Sequence, residues 1–357
     1  MRRILVAILA LGAIAAQAQK APKNVIIMIG DGMGYNTVAL RILDTKGASN
    51  FERFNSIGSI KTYCADGKIT DSAAGGSAFG IGEKTYNGAV GVDVNKTIKP
   101  NLMEVAQKNN AATGIVVTCA LTHATPAAFS AHQPNRSMGE EIANDIANAN
   151  IDLLVGGGMK YFSKRKDGKD LIQKVKDRGY SVYTDTTSYF ASQNRKSMVI
   201  LADDHMKAAN KDRGNYLPRA VEKTINLLNE NKKGFVMMVE GSQIDWACHG
   251  NDTEMLRAEM ADFDKTIGVA LDFAKKDKNT LVLVFADHET GGVTLPPVET
   301  NSLSEEYGDY TVKYSTGAHS GTLIPVFAYG PGAETFQGIY ENYEIFHKIL
   351  KLKGWKK

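Results

Sequence analysis

The sequence predicts an α/β fold, a three-layer sandwich in which helices cover both faces of a largely parallel central sheet. Short, unbroken apolar runs rich in β-branched residues recur at 25–29, 115–118, 151–155, 235–239, 281–286 and Ile324–Tyr329. Runs of this kind suit strands buried on both faces of a parallel sheet. Helical patterns lie between them. Residues 256–276 place Leu256, Met260, Phe263, Ile267, Leu271 and Ala274 at alternating steps of three and four, which is one face of a helix. Residues 217–229 follow the same pattern. Alternation of strands and helices gives the layered α/β architecture.

A third observation concerns where the runs stop. Asp31 follows the first, Glu240 closes the fourth, Asp287 and His288 close the fifth, and His123 and Thr125 follow the second. Open parallel sheets bind ligands outside the carboxyl ends of their strands. Four runs delivering acids, histidines or a threonine to that edge point to a polar site there.

The chain begins with Arg2 and Arg3, an apolar run over 4–16, and a small-x-small Ala16-Gln17-Ala18. This reads as a secretory signal peptide over residues 1–18, too short for a lasting membrane anchor. The protein is therefore expected to be exported, periplasmic or secreted, with residues 19–357 forming one domain. No later segment is apolar for long enough to span a bilayer. At 43% hydrophobic and 23% charged residues, the composition is that of an ordinary globular protein. The net charge is +3 and no basic run is interleaved with aromatics, so nucleic-acid binding has no support. Cys64, Cys119 and Cys248 are too few for a disulfide framework. A stretch rich in Pro, Ser, Glu and Tyr, about 295–318, reads as an insertion before the last strand.

Several constellations carry chemistry. Asp245 and His249, four apart in "VEGSQIDWACHGND", would share one face of a helical turn and present two ligands to one ion. Alone, such a pair is more often a surface pair, and the adjacent Cys248 leaves a thiolate site open. Asp287-His288 in "VLVFADHETGG" is a second carboxylate–imidazole pair, and an ordinary strand-end turn if taken alone. His319 in "STGAHSGT" gains interest only from this company. Asp31, flanked by glycines in "IGDGMG", suits a carboxylate turned into a cleft. Glu240 and Thr125 add oxygen ligands of the kind magnesium prefers.

In "ITDSAAGGSAFGIGEKTYNG", Asp71 or Ser72 would cap a helix through the Ala/Gly stretch. A serine hydroxyl at such a helix start meets backbone N–H groups and a dipole that favour an anion. A metal ion would activate it as a nucleophile. Arg136 is the candidate phosphate clamp because its segment already holds His123 and Thr125, and guanidinium forks match phosphate oxygens.

Taken together, these blocks resemble the bacterial and animal alkaline phosphatases. "DSAAGGSAFGIGEKTYNGAVGVD" is similar to their nucleophile region, and "VEGSQIDWACHG", "ADHETGG" and "GAHSGTLIPVFAYGP" to their metal-binding blocks. The likeness runs in order from about Lys23 onward and is strongest to compact, cold-adapted marine bacterial enzymes. The resemblance implies an alkaline-phosphatase-like fold with a short crown insertion near 295–318 and a homodimer. It implies hydrolysis of small-molecule phosphate monoesters at alkaline pH, with two Zn2+ and one Mg2+. It implies Ser72 as the nucleophile forming a phosphoserine, and Arg136, oriented by Asp71, as the phosphate clamp. One zinc would be held by Asp245, His249 and His319. Asp31, Asp287, His288 and Ser72 would hold the other, and Asp31, Thr125 and Glu240 the magnesium.

Two positions depart from the enterobacterial form. His123 stands in place of an aspartate in the magnesium block, and Trp246 in place of a lysine after a zinc-ligand aspartate. Both border the phosphate site, and the lost positive charge implies weaker phosphate retention. Cys248 has no ligand role in the family's pattern. Two other readings stand beside this one: a phosphodiesterase of the same metalloenzyme superfamily, against which Ser72 in "TDSA" argues, and an exported metal- or phosphate-binding protein without catalysis.

Overall fold

The computed structural model describes residues 21–298 and 309–357. The signal-peptide reading of residues 1–18 and the middle of the 295–318 insertion lie outside the described residues. Val293–Thr294, just before that insertion, pairs antiparallel with Lys313–Tyr314 within it.

Eight strands in chain order are β1 (Asn24–Gly30), β2 (Ser56–Lys61), β3 (Ala112–Ala120), β4 (Leu153–Gly157), β5 (Ser181–Tyr183), β6 (Ser197–Ile200), β7 (Phe235–Gly241) and β8 (Thr280–Phe285). With the strands Ile324–Tyr329 and Gly338–Glu341 they form a ten-stranded sheet among the described residues. Its order is Gly338–Glu341, β2, Ile324–Tyr329, β8, β1, β7, β3, β4, β6, β5. Every residue of β1, β3, β7 and β8 is buried, as expected for strands covered on both faces. The helix Thr253–Asp277 buries the same six apolar residues that the periodicity selects. It packs with the helix Tyr216–Asn229 on one side of the sheet, and the helices Ser72–Ile81 and Leu102–Lys108 lie on the other. No helix among the described residues is long and apolar enough to cross a membrane.

The six expected strands are all present, and the ten-stranded sheet holds four more, β2, β5, β6 and Gly338–Glu341. β5 and β6 have three and four residues, too short for a pattern. In β2 the inward positions are Ser56, Gly58 and Ile60, while Ile57 is exposed, so no apolar run marks it. A side chain at Gly58 would meet the Phe336 carbonyl at 2.1 Å, so the close approach excludes an apolar residue there.

One strand differs in direction. Ile324–Tyr329 pairs antiparallel with both β8 and β2, although its apolar run reads like the others. This reversal matters for the site. An antiparallel strand starts at the edge where its parallel neighbours end, so His319, just before it, sits at their carboxyl edge.

Candidate metal and phosphate site

β1, β7, β3 and β8 are adjacent and parallel, so their carboxyl ends open onto one cleft. Asp31 follows β1, Glu240 lies in the last two residues of β7, Asp287 and His288 follow β8, and His123 and Thr125 follow β3. Gly32 has φ +71°, and a side chain there would meet the Asp245 backbone at 2.9 Å. Its freedom lets the Asp31 turn lie directly against Asp245. His319 is brought in by a two-residue ribbon in which it pairs with Thr290.

Three histidines share one arrangement. His249 Nδ1 lies 2.7 Å from the Gly317 carbonyl and His319 Nδ1 lies 2.8 Å from the Thr70 carbonyl. A carbonyl only accepts, so both Nδ1 atoms carry the hydrogen. His288 Nδ1 lies 3.1 Å from Thr290 Oγ1, whose own hydrogen goes to Asp245 Oδ1 at 2.5 Å, so this Nδ1 is also the donor. All three Nε2 atoms therefore turn lone pairs inward. His249 Nε2 and His319 Nε2 face each other at 3.1 Å, with Asp245 carboxylate oxygens 3.3 and 3.6 Å away respectively. Two lone pairs facing beside a carboxylate call for a cation between them. Without a metal a proton takes that place, and the bond to Asp245 lifts His249 to about 9. Burial works to raise Asp245, but His249, His288 and Thr290 outweigh it and hold the carboxyl well below its usual range.

A second group surrounds His288 Nε2, with Asp287 Oδ2 at 3.4 Å, Asp31 Oδ1 at 3.5 Å and Ser72 Oγ at 3.2 Å. Asp31, Asp287 and His288 are fully buried, yet both Asp31 oxygens and Asp287 Oδ2 have no hydrogen-bond partner. Burial, followed by the charges of Asp287, Asp245 and Glu240, pushes Asp31 well above the usual carboxylate range. Converging carboxylates with no paired donor are costly unless a cation joins them.

Ser72 is the first residue of the helix Ser72–Ile81, with Asp71 as its N-cap: Asp71 Oδ1 accepts from Ala74 N at 2.9 Å. The Ala/Gly composition has a packing reason. A side chain at Gly75 would meet the Asp287 carbonyl at 2.9 Å, and one at Gly80 the Ala128 carbonyl at 2.3 Å. Only a slim helix places the serine this close to the β8 end.

The third group contains Glu240, Thr125, His123 and Cys119. Ligand atoms of Cys119, His123 and Glu240 fall within 4.8 Å of one another. The two Glu240 oxygens have different surroundings. Oε2 accepts from Ser242 Oγ at 2.6 Å and from Cys119 Sγ at 3.2 Å, whereas Oε1, like Thr125 Oγ1 and His123 Nδ1, is buried without a partner. Cys119 thus supports the occupied oxygen, and the oxygens left free are Glu240 Oε1 and Thr125 Oγ1; His123 Nδ1 carries the ring hydrogen, because Nε2 faces the Arg136 guanidinium, which only donates. Burial raises Glu240 to about 7. Burial and then the Arg136 charge push His123 down to about 3, which keeps its imidazole neutral.

At the mouth, Arg136 Nη1 donates to Asp71 Oδ2 at 3.0 Å, and Nη2 lies 3.4 Å from His123 Nε2. Trp246 packs edge-on to His123, ring centres 5.9 Å apart. Cys248 is fully buried in the core, and burial raises its thiol well above the ordinary value. It belongs to none of the three ligand groups.

Residues 22–305 match the family model described as alkaline phosphatase. The chain belongs to the alkaline phosphatase family. It is therefore a phosphomonoesterase. It is 35% identical to alkaline phosphatase 4 of Bacillus subtilis (strain 168), over 94% of this chain and 91% of that protein. The solved alkaline phosphatase from the Antarctic bacterium TAB5 superposes with a TM-score of 0.91 at 46% identity, covering 95% of this chain and 100% of that one. A variant of the TAB5 alkaline phosphatase with a histidine changed to aspartate has the same TM-score, identity and coverage, and holds magnesium in its M3 site.

The structure of this alkaline phosphatase relative gathers the candidate ligands with Ser72, Asp71, Arg136, His123 and Trp246 at one cleft, and leaves Cys248 in the core. It also adds four that sequence reasoning missed. Thr290 holds His288 and Asp245, Ser242 and Cys119 hold Glu240, and His205 packs on Trp246 and His123. Thr290 and Ser242 each lie two residues from a candidate ligand, and that proximity was the one available signal. Nothing in "LADDHMKAAN" sets His205 apart.

Proposed function

We propose that this chain is an exported, homodimeric enzyme that hydrolyses phosphate monoesters at alkaline pH through a phosphoserine on Ser72, with two zinc ions and one magnesium ion. The observation that carries this reading is Ser72 Oγ, 3.2 Å from the lone-pair nitrogen of His288 and beside the unpartnered oxygens of Asp31 and Asp287. Asp245, His249 and His319 would hold one zinc, and Asp31, Asp287 and His288 the other. Asp31, Thr125 and Glu240 would hold the magnesium. Bound there, the ions supply positive charge for the serine alkoxide and the leaving oxygen.

The chain's own residues do the rest. Arg136, held by Asp71, presents its fork to two phosphate oxygens, and the N-terminal turn of the Ser72 helix adds backbone donors. Ser72 Oγ forms the new bond to phosphorus as the ester P–O bond breaks, and the leaving oxygen takes up a proton. Water then cleaves the phosphoserine P–O bond, restoring Ser72 and releasing inorganic phosphate.

With the neutral His123 beside it in place of a carboxylate, the third group is less anionic, which lowers its preference for magnesium. Magnesium in the M3 site of the TAB5 aspartate variant supports this view, and His123→Asp is expected to raise magnesium affinity here. The test is monoester hydrolysis at alkaline pH, with and without chelator, followed by zinc and magnesium add-back. Turnover should vanish on chelation, return with metal, and be lost in Ser72→Ala. Activity that survives full metal removal, or a diester cleaved faster than the monoester, overturns the reading. Sizing of the purified protein and the N-terminus of the exported chain test the dimer and the cleavage after residue 18.

A further inference from the structure

We propose that His205 is a positioning residue of the phosphate clamp, acting through its ring contacts with Trp246 and His123. The inference rests on the phosphomonoesterase site described above and deepens it.

Three rings meet at the mouth of the cleft. His205 lies 4.6 Å from Trp246 at an interplanar angle of 67°, and 5.8 Å from His123 at 85°. Trp246 and His123 are 5.9 Å apart at 83°. Each pair is edge-to-face, one of the two arrangements that aromatic rings prefer over a face-to-face sandwich. Two members of the cluster lead directly into the site. His123 Nε2 is 3.4 Å from Arg136 Nη2, and Trp246 sits in the short helix Ile244–His249 between Asp245 and His249. His205 touches neither Arg136 nor Ser72 through any hydrogen bond. Its influence passes through the other two rings.

The backbone that carries His205 is firmly held, which a positioning role requires. Ala120 N donates to His205 Nδ1 at 3.0 Å, tying the ring to the end of β3. The next residue, Met206, donates its N–H to the Thr118 carbonyl at 3.1 Å. Gln243 bridges the two segments, its amide reaching Thr118 O at 3.0 Å and Met206 O at 2.9 Å. Farther along, the buried Arg213 pairs with Glu259 and Asp262 of the helix Thr253–Asp277, and Glu259 also accepts from Ala209 N at 2.7 Å. The segment from His205 to Arg213 is thereby held at both ends, with the His205 ring packed on Trp246 and His123. Since Nδ1 is used as an acceptor, the ring hydrogen lies on Nε2.

The contact is separable from the hydrogen bond by substitution. His205→Asn keeps an acceptor where Nδ1 was but removes the ring. His205→Phe keeps the ring and loses the acceptor. The metal-loaded enzyme is used in a Trp355→Phe background, where Trp246 is the remaining tryptophan of two and reports on the cluster by fluorescence. Inorganic phosphate is titrated in, and KM, kcat and thermal midpoint are measured alongside. His205→Ala and His205→Asn should weaken phosphate binding about three- to tenfold, the effect expected of one aromatic pair, and raise KM in parallel. Their kcat should stay within about twofold of the parent, and His205→Phe should bind phosphate like the parent while melting earlier. Unchanged phosphate affinity in His205→Asn, or equal losses in all three variants, overturns the proposal. A parent enzyme that binds phosphate but turns over no monoester would overturn the functional reading instead, because the fluorescence titration needs no turnover.

Discussion

Thr290→Val tests whether the ligand shell is held by the buried threonine, since valine keeps the shape and removes only the hydroxyl. In the structure that oxygen accepts from His288 Nδ1 at 3.1 Å and donates to Asp245 Oδ1 at 2.5 Å. Thr290 and His288 are fully buried and Asp245 nearly so, so no water replaces the lost partner. The stranded His288 N–H costs about 1–3 kcal/mol, and the bond to the charged Asp245 is worth about 1.5–3 kcal/mol. Most of this falls on the metal-free fold, which should melt earlier. The remainder falls on ligand geometry, because Thr290 fixes which nitrogen of His288 points inward. Outer partners of this kind are worth about 10–100-fold in metal affinity. Zinc affinity is measured by competition with a chromogenic chelator, with circular dichroism as the control for folding. Thr290→Ser, which keeps the hydroxyl, should restore most of the affinity. A Thr290→Val protein that binds zinc within about threefold of the parent, or a serine variant no better than valine, would refute the reasoning.

Trp246→Lys places a positive charge near the phosphate and should tighten inhibition by inorganic phosphate severalfold while slowing turnover; a sharp loss of inhibition contradicts the account. Cys248→Ser should leave zinc affinity unchanged and cost about 1–3 kcal/mol of stability, because it puts a hydroxyl in an apolar core; a loss of metal affinity would make the thiol a ligand. His132 provides a pH test away from the metals. Its Nδ1 faces the Gly91 carbonyl at 2.7 Å and its Nε2 faces Glu104 at 3.1 Å, so the ring must carry both protons. Burial opposes the charge, but Glu104 and the Gly91 carbonyl outweigh it and raise the pKa above the ordinary 6.5. A folded value above the unfolded one means the stabilisation is complete below about 6.5 and is lost as pH rises through the folded value. The melting difference between the parent and His132→Gln should therefore shrink above pH 6.5, and a constant difference would exclude the charged ring.

Six strands and the two long helices were legible because each is long, apolar and regularly spaced. The residues at strand ends were legible as well, since a parallel sheet turns its polar exits toward one edge. Asp31, Glu240, Asp287 and His288 follow from local pattern alone. β2 was not, because its inward residues are serine and glycine, and β5 and β6 are too short to show a period. The direction of Ile324–Tyr329 was also hidden, since a strand buried between neighbours has the same composition whichever way it runs. That direction brings His319 to the cleft across a gap of seventy residues from His249. Tautomers are likewise a tertiary property: a histidine's free nitrogen depends on which carbonyl or hydroxyl the fold sets against the other. By itself, then, the sequence determined the layered sheet and the chemistry at its edge, because burial and periodicity are local. Only the tertiary structure decided which lone pairs converge, which carboxylate oxygens stay unpartnered, and that His205 belongs to the site, because those are distances between segments with no pattern in common.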